Sequence, residues 1–308
     1  MHLLNPRVDL AFKKIFGSKE NKDLLISFIN SVVSEADQVV DVELLNPHNS
    51  RNSQRDKPSI LDVKAKDTRG NYYNIEVQIC NEGDYDKRSL YYWAKLYTDQ
   101  LGISDPYKEL RKAIAIHVLN FISVPNAPNY CNRFTITNEE TGQRHFEDLE
   151  IYTIELCKFS DFSANEGLNS ILPRIKTNLD RWATFLTKAG RLDRNNLPKE
   201  LDDPCIKKAV DVLTHVSLDP KEREMYEDHL KWLRIEASTL ERAAREAKEE
   251  GMAEGEAKGR AEGRAEGEAQ ATIKFAKQLL NKGMQEELVC EMTGLSSEDL
   301  LNLDFATF

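Results

Sequence analysis

A chain of 308 residues, 40% hydrophobic and 31% charged, has room for a sizeable core and a second unit, about two domains. Its formal net charge of −10 is uneven: residues 1–120 carry 17 basic and 17 acidic side chains, residues 121–308 carry 25 and 35. The neutral first half leaves DNA open as a partner through a basic rim; a membrane span is excluded for want of a run near 18 apolar residues, and a zinc or disulfide framework because Cys80, Cys131, Cys157, Cys205 and Cys290 form no CxxC pair.

The start, MHLLNPRVDLAFKK, has no apolar signal region, so a soluble cytoplasmic protein with free thiols is expected. Residues 8–33 predict an amphipathic helix or a broken pair, with Gly17 as the interruption. Asp9 falls in the first turn, where a carboxylate suits the helix dipole. Residues 38–46 alternate as a strand, and the polar loop after them holds His48, Arg51, Arg55 and Lys57, a solvated loop or a phosphate-contacting arm.

Residues 59–79, SILDVKAKDTRGNYYNIEVQI, predict two short strands joined at DTRGN, whose Asp, Gly and Asn tolerate turn backbone. A hairpin symmetric about Arg69 sets Asp62 opposite Glu76, with Lys64 and Gln78 on the same face. Opposed like charges cost up to ~1 kcal/mol, so a divalent cation between them is the candidate partner. Two alternatives stay open. A two-residue turn at Arg69-Gly70 would send the carboxylates to opposite faces, and the pair could be solvent-face charges of an edge hairpin, matched by Lys64 and Lys66.

Residues 84–101 predict a helix whose Leu90, Trp93, Ala94, Tyr97 and Leu101 form a core-facing stripe, with Arg88, Tyr92, Lys95 and Asp99 on another side. KAIAIHVLNF (112–121) predicts a strand buried on both faces, with His117 as a satisfied core histidine, and 149–157 a further strand. From about residue 165 the pattern is helical: one helix ends at Gly190, a second follows, and Asp219, Pro220 and Glu222 open a long third. Glycines 251, 255, 259, 263 and 267 wind around that helix at a cost of about 5 kcal/mol, which predicts a frayed or partner-dependent helix, an acidic low-complexity connector. Short helices ended by Gly283 and Gly294 have the spacing of a helix-turn-helix. Acidic Glu286, Glu287 and Glu291 favour a small interaction or dimerisation bundle instead.

LDVKAK followed by IEVQ resembles the metal site of the PD-(D/E)xK nuclease superfamily. With VDLAFKKIFG it resembles the recombination-promoting nuclease branch, whose members carry a transposase label. Leu61 stands in place of the motif's Pro and Gln78 in place of its Lys. The resemblance implies an α/β, restriction-endonuclease-like core (helix, three-stranded hairpin sheet, helix, two strands) followed by an α-helical C-terminal region. It divides the chain into a nuclease-like domain (1–160), a helical domain (161–240), the connector (241–270) and a small helical tail (271–308). It also implies Mg²⁺, with Mn²⁺ as a substitute, held by Asp62, Glu76, the carbonyl of Val77 and Asp9, and it sets Arg88 and Gln100 near the site beside Tyr92. Gln78 would orient water or phosphate and Lys64 would supply positive charge.

The expected function is a metal-dependent DNA endonuclease, acting as a homodimer through the helical C-terminal region if both strands are cut. The rival is an inactive nuclease-fold protein serving as an interaction module.

Overall fold

The computed structural model describes residues 4–45, 63–79, 81, 83–160, 166–216 and 218–301, with backbone alone at 229, 232–244, 246–248, 250, 253 and 254. Asp62 and the Arg51–Lys57 loop lie outside the described residues. Two compact units divide the chain, residues 1–234 and 235–308.

The first unit begins with α1 (Asp9–Phe16) and α2 (Lys22–Val32), separated at Gly17. A Cβ at Gly17 would come within 2.8 Å of the Lys13 carbonyl, so the break needs glycine. Then come β1 (Val42–Leu44), β2 (Val63–Asp67), β3 (Tyr72–Gln78), α3 (Tyr85–Thr98), β4 (Ala113–Leu119), β5 (Cys131–Ile136) and β6 (Phe146–Glu155). Among the described residues they form one sheet in the order β1-β2-β3-β4-β6-β5. The β3, β4 and β6 strands are parallel and the outer pairs antiparallel. Parallel neighbours need a crossover, and α3 supplies it between β3 and β4. The sequence reading missed β5: none of its six residues is buried, so it carries neither a buried run nor clean alternation.

One face of the sheet (Ala65, Tyr73, Ile75, Ile116, Tyr152) packs on Phe12, Phe16, Phe28, Trp182 and Phe185 in the main core. Trp182 lies 5.3 Å from Phe16 and 5.9 Å from Phe28, ring to ring, and its indole N–H donates to Ser27 Oγ at 3.2 Å. Such buried aromatics contribute about 1.5–3 kcal/mol each by area. On the other face Trp93 of α3 packs against Ala115, Leu149 and Ile151 and donates to the Ala113 carbonyl at 2.8 Å. The result is a sheet between helix layers, the restriction-endonuclease-like α/β architecture that the resemblance implied.

Helices α4 (Leu156–Phe159), α5 (Leu168–Ile171), α6 (Asn178–Lys188) and α7 (Pro204–His215) follow. The single helix expected up to Gly190 is broken, because Pro173 sits in a 3-10 turn and Thr177 caps α6 in a capping box with Asp180. Helices α6 and α7 contribute Trp182, Phe185, Ile206 and Val210 to the same core as the sheet, so no separate core begins at residue 161.

Helix α8 (Pro220–Asn281) opens as its sequence predicts: Asp219 Oδ1 accepts from the Glu222 amide at 2.8 Å. Glycines 251, 255, 259, 263 and 267 lie within this helix. Ala, Glu, Lys and Arg between the glycines are strong helix formers, and the pairs Glu256–Arg260, Lys258–Glu262 and Arg264–Glu268 add i,i+4 support. In the second unit Ala276, Leu279, Val289 and Leu300 join the end of α8 to α9 (Glu286–Thr293) and α10 (Ser297–Leu301). Gly283 and Gly294 mark the turns with φ of 80° and 72°.

Candidate functional site

The hairpin β2–β3 sets the site's geometry. Asp67 Oδ1 accepts from the amides of Arg69 and Asn71 at 2.9 and 2.8 Å, its Oδ2 accepts from the Tyr73 hydroxyl at 3.2 Å, and Gly70 takes φ 91°. This turn fixes the pairs Val63–Ile75, Lys64–Asn74, Ala65–Tyr73 and Lys66–Tyr72, a register symmetric about Arg69. The shifted register of a two-residue turn is thereby excluded. So is the edge-hairpin alternative, since β3 is flanked on both sides and Glu76 is buried.

Alternation puts Lys64, Asn74, Glu76 and Gln78 on the face under α3, joined by His117 of β4, the ladder partner of Glu76. Asn74, Glu76, Gln78 and His117 are all buried. Gln78 Nε2 donates to Glu76 Oε1, and Arg88 Nη2 reaches the same oxygen at 3.3 Å from α3. His117 Nδ1 lies 3.8 Å from Glu76 Oε2. Burial, aided by Arg88, pushes the His117 pKa down to about 4, so the imidazole is neutral at pH 7. Burial and then the charge of Glu76 push the Tyr85 hydroxyl well above the usual phenol range. Asn74 Oδ1, the Tyr85 hydroxyl and both His117 ring nitrogens have no hydrogen-bond partner among the described residues. Each such buried polar group costs about 1–3 kcal/mol. Buried polar groups of this kind mark the face as a candidate site for a polar ligand.

The inward face of α3 differs from the expected stripe. Tyr85, Ser89 and Leu96 are buried, Arg88 and Tyr92 half-buried, and Leu90 is 52% exposed. The helix covers a polar sheet face near Glu76, so its polar side chains point in. Gln100 is not near Glu76. Its amide clamps the Arg111 backbone, donating to the carbonyl at 2.9 Å and accepting from the N–H at 2.8 Å. Arg111 precedes β4 by two residues while Glu76 is level with His117, roughly 20 Å further along at the strand rise. The side chain of Val77 packs toward the main core, leaving its carbonyl as the group that could serve as a ligand.

Asp9 begins α1. Two residues before it, half-buried Arg7 donates to Asn120 Oδ1 at 2.6 Å, and the Asn120 backbone amide donates to the Gln78 carbonyl at 2.9 Å. Burial lowers the Arg7 pKa to about 10. This chain of contacts ties the start of α1 to the Gln78 end of β3. The sequence reading missed Arg7, Asn74, Tyr85 and the unsatisfied state of His117. One signal was present: β3 is an interior strand whose alternate residues, Asn74, Glu76 and Gln78, are all polar.

The donor chemistry fits a hard divalent cation, because Glu76 presents carboxylate oxygen in a buried setting beside amide groups. Among the described residues no group of three or more His, Cys, Asp or Glu completes a metal cage, and Asp62 lies outside them.

A family model described as PD-(D/E)XK nuclease family transposase matches residues 6–243. A second, the C-terminal HTH domain of the Rpn/YhgA-like nuclease family, matches residues 269–304. No curated protein and no solved structure matches the chain. The second match agrees with the helix-turn-helix spacing read in the sequence, and the helices of this segment pack through Ala276, Leu279, Val289 and Leu300.

Proposed function

The chain belongs to the PD-(D/E)XK nuclease family transposases, and from that premise we propose that it is a Mg²⁺-dependent DNA endonuclease with Glu76 at its centre. The observation that carries this reading is the buried Glu76 carboxylate, held by Gln78 and Arg88 on a sheet face where Asn74 Oδ1 and both His117 ring nitrogens have no hydrogen-bond partner among the described residues.

Glu76 and Asp62 would hold the cation, with the Val77 carbonyl and Asp9 as further oxygen donors. The symmetric register supports the pairing of Asp62 with Glu76, and the Arg7–Asn120–Gln78 contacts support the place of Asp9. A divalent cation held by these residues would supply activation of water and charge stabilisation for phosphodiester hydrolysis. Gln78 has no proton to accept at neutral pH, so it orients Glu76 rather than acting as a base. Arg88, Lys64 and Tyr92 lie on the side where a phosphate backbone would approach, and the two cations offset its charge. The helix-turn-helix at 269–304 would add DNA contacts.

An inactive binding module is the second reading, favoured by the contact of Arg88 with Glu76 itself. A supercoiled-plasmid assay separates the two. The endonuclease nicks in Mg²⁺, is silent in EDTA and loses at least about 100-fold in rate as Glu76→Gln. Equal rates for wild type and Glu76→Gln would leave only the binding module.

A further inference from the structure

Glu76 of β3, His117 of β4 and Thr153 of β6 stand in one row across the sheet, since the ladders pair Glu76 with His117 and His117 with Thr153. His117 is 1% exposed, yet neither ring nitrogen has a hydrogen-bond partner among the described residues, and Thr153 Oγ1 has none either. On the opposite face of β4 stand Ile114, Ile116 and Val118, so packing alone would be served by another aliphatic residue at 117. The Tyr85 ring meets the imidazole edge-on, at 5.7 Å and 86°, and restrains its plane. Nδ1 is 3.8 Å from Glu76 Oε2, beyond a hydrogen bond but within a small ring rotation of one.

We propose that His117 is a positioning residue for Glu76, donating from Nδ1–H to Oε2 while Gln78 holds Oε1. The carboxylate is then gripped at both oxygens, and its orientation toward a cation is set before the cation arrives. Nε2 becomes an acceptor, for which Thr153 beside it in the ladder and Tyr85 against its ring are the hydroxyl donors at hand. This role rests on the reading of Glu76 as a cation ligand.

The test uses the full chain with ¹⁵N-labelled histidine. Long-range ¹H–¹⁵N correlation spectra report the tautomer, the His117 signals being those removed by His117→Asn. The Nδ1–H form is expected, and the Nε2–H form overturns the proposal. Calorimetry with Mn²⁺ then compares three variants, each checked for folding by thermal melting. His117→Asn, whose amide N–H falls near the place of Nδ1, keeps affinity within about threefold of wild type, while His117→Gln and His117→Leu lose about 10–100-fold. If wild type and His117→Leu bind Mn²⁺ equally, the positioning role falls and the Glu76 site stands. If wild type binds no more Mn²⁺ than Glu76→Gln, both fall together.

Discussion

Gln78 donates its amide hydrogen to Glu76 Oε1, two residues back along the same strand and on the same face. The superfamily motif that this stretch resembles has Lys in that place, and the amide takes over orientation without taking over charge. Gln78→Leu keeps the buried volume and removes the donor. It should lower Mg²⁺-dependent nicking about 10–100-fold, the usual loss when a ligand's hydrogen-bond partner is removed. Melting within a few degrees of wild type, run beside the nicking assay, would separate this loss from unfolding.

Arg88 reaches the same oxygen at 3.3 Å, and its side chain is 31% exposed. It therefore competes with a cation for Glu76 and also faces the solvent from which a phosphate would come. Arg88→Met should tighten Mn²⁺ binding several-fold by removing the competitor. The same variant should lower the slope of log affinity for duplex DNA against log salt by about 1. Calorimetry and a fluorescence titration in varied NaCl check the two halves, and weaker Mn²⁺ binding would count against competition.

Gly70 holds φ 91° in the turn that sets the register of Glu76, and a Cβ there would lie 3.3 Å from Arg111 Cγ. Gly70→Ala should destabilise by about 1–2 kcal/mol through left-handed backbone strain, a shift of about 2–4 °C per kcal/mol for a unit of this size. Differential scanning calorimetry measures it. An unchanged melting temperature would mean that the turn relaxes and that the register is set elsewhere.

Glu150 lies at the other end of the parallel strands, fully buried, with Lys112, Arg133 and Arg144 at 2.7, 2.6 and 2.9 Å. Burial alone would push its pKa up, but hydrogen bonds from Arg133, Lys112 and Tyr152 outweigh it and hold the carboxyl at about 2, below the ordinary 4.5. The unfolded chain thus takes up the proton at higher pH than the folded one. The stabilisation is complete above about pH 4.5 and drains away as pH falls toward 2. Glu150→Gln should cost ~3 kcal/mol at pH 7 and flatten the fall in urea midpoint across that acid window. A variant as acid-sensitive as wild type would place the titrating group elsewhere.

The hairpin register was one of two that DTRGN allowed, and the Asp67 contacts in the turn decide for the one symmetric about Arg69; the buried strand at 113–119 was legible because apolar residues flank His117 on both sides. The facing of α3 was legible in part: Trp93 of its stripe packs on Ala115, Leu149 and Ile151 as expected, whereas Leu90 is exposed and Arg88 and Tyr92 are half-buried, because the sheet face near Glu76 is polar and only tertiary structure shows that. His117 read as a core histidine because burial can be inferred from neighbours in sequence, whereas hydrogen-bond satisfaction depends on the flanking strands and on α3.

The central claim is that Glu76, with Asp62, seats a divalent cation, and calorimetric titration of Mn²⁺ into wild type, Glu76→Gln and Asp62→Asn tests it most directly. A saturable isotherm in wild type that both substitutions abolish is the result predicted. An isotherm in Glu76→Gln that superimposes on wild type would contradict it.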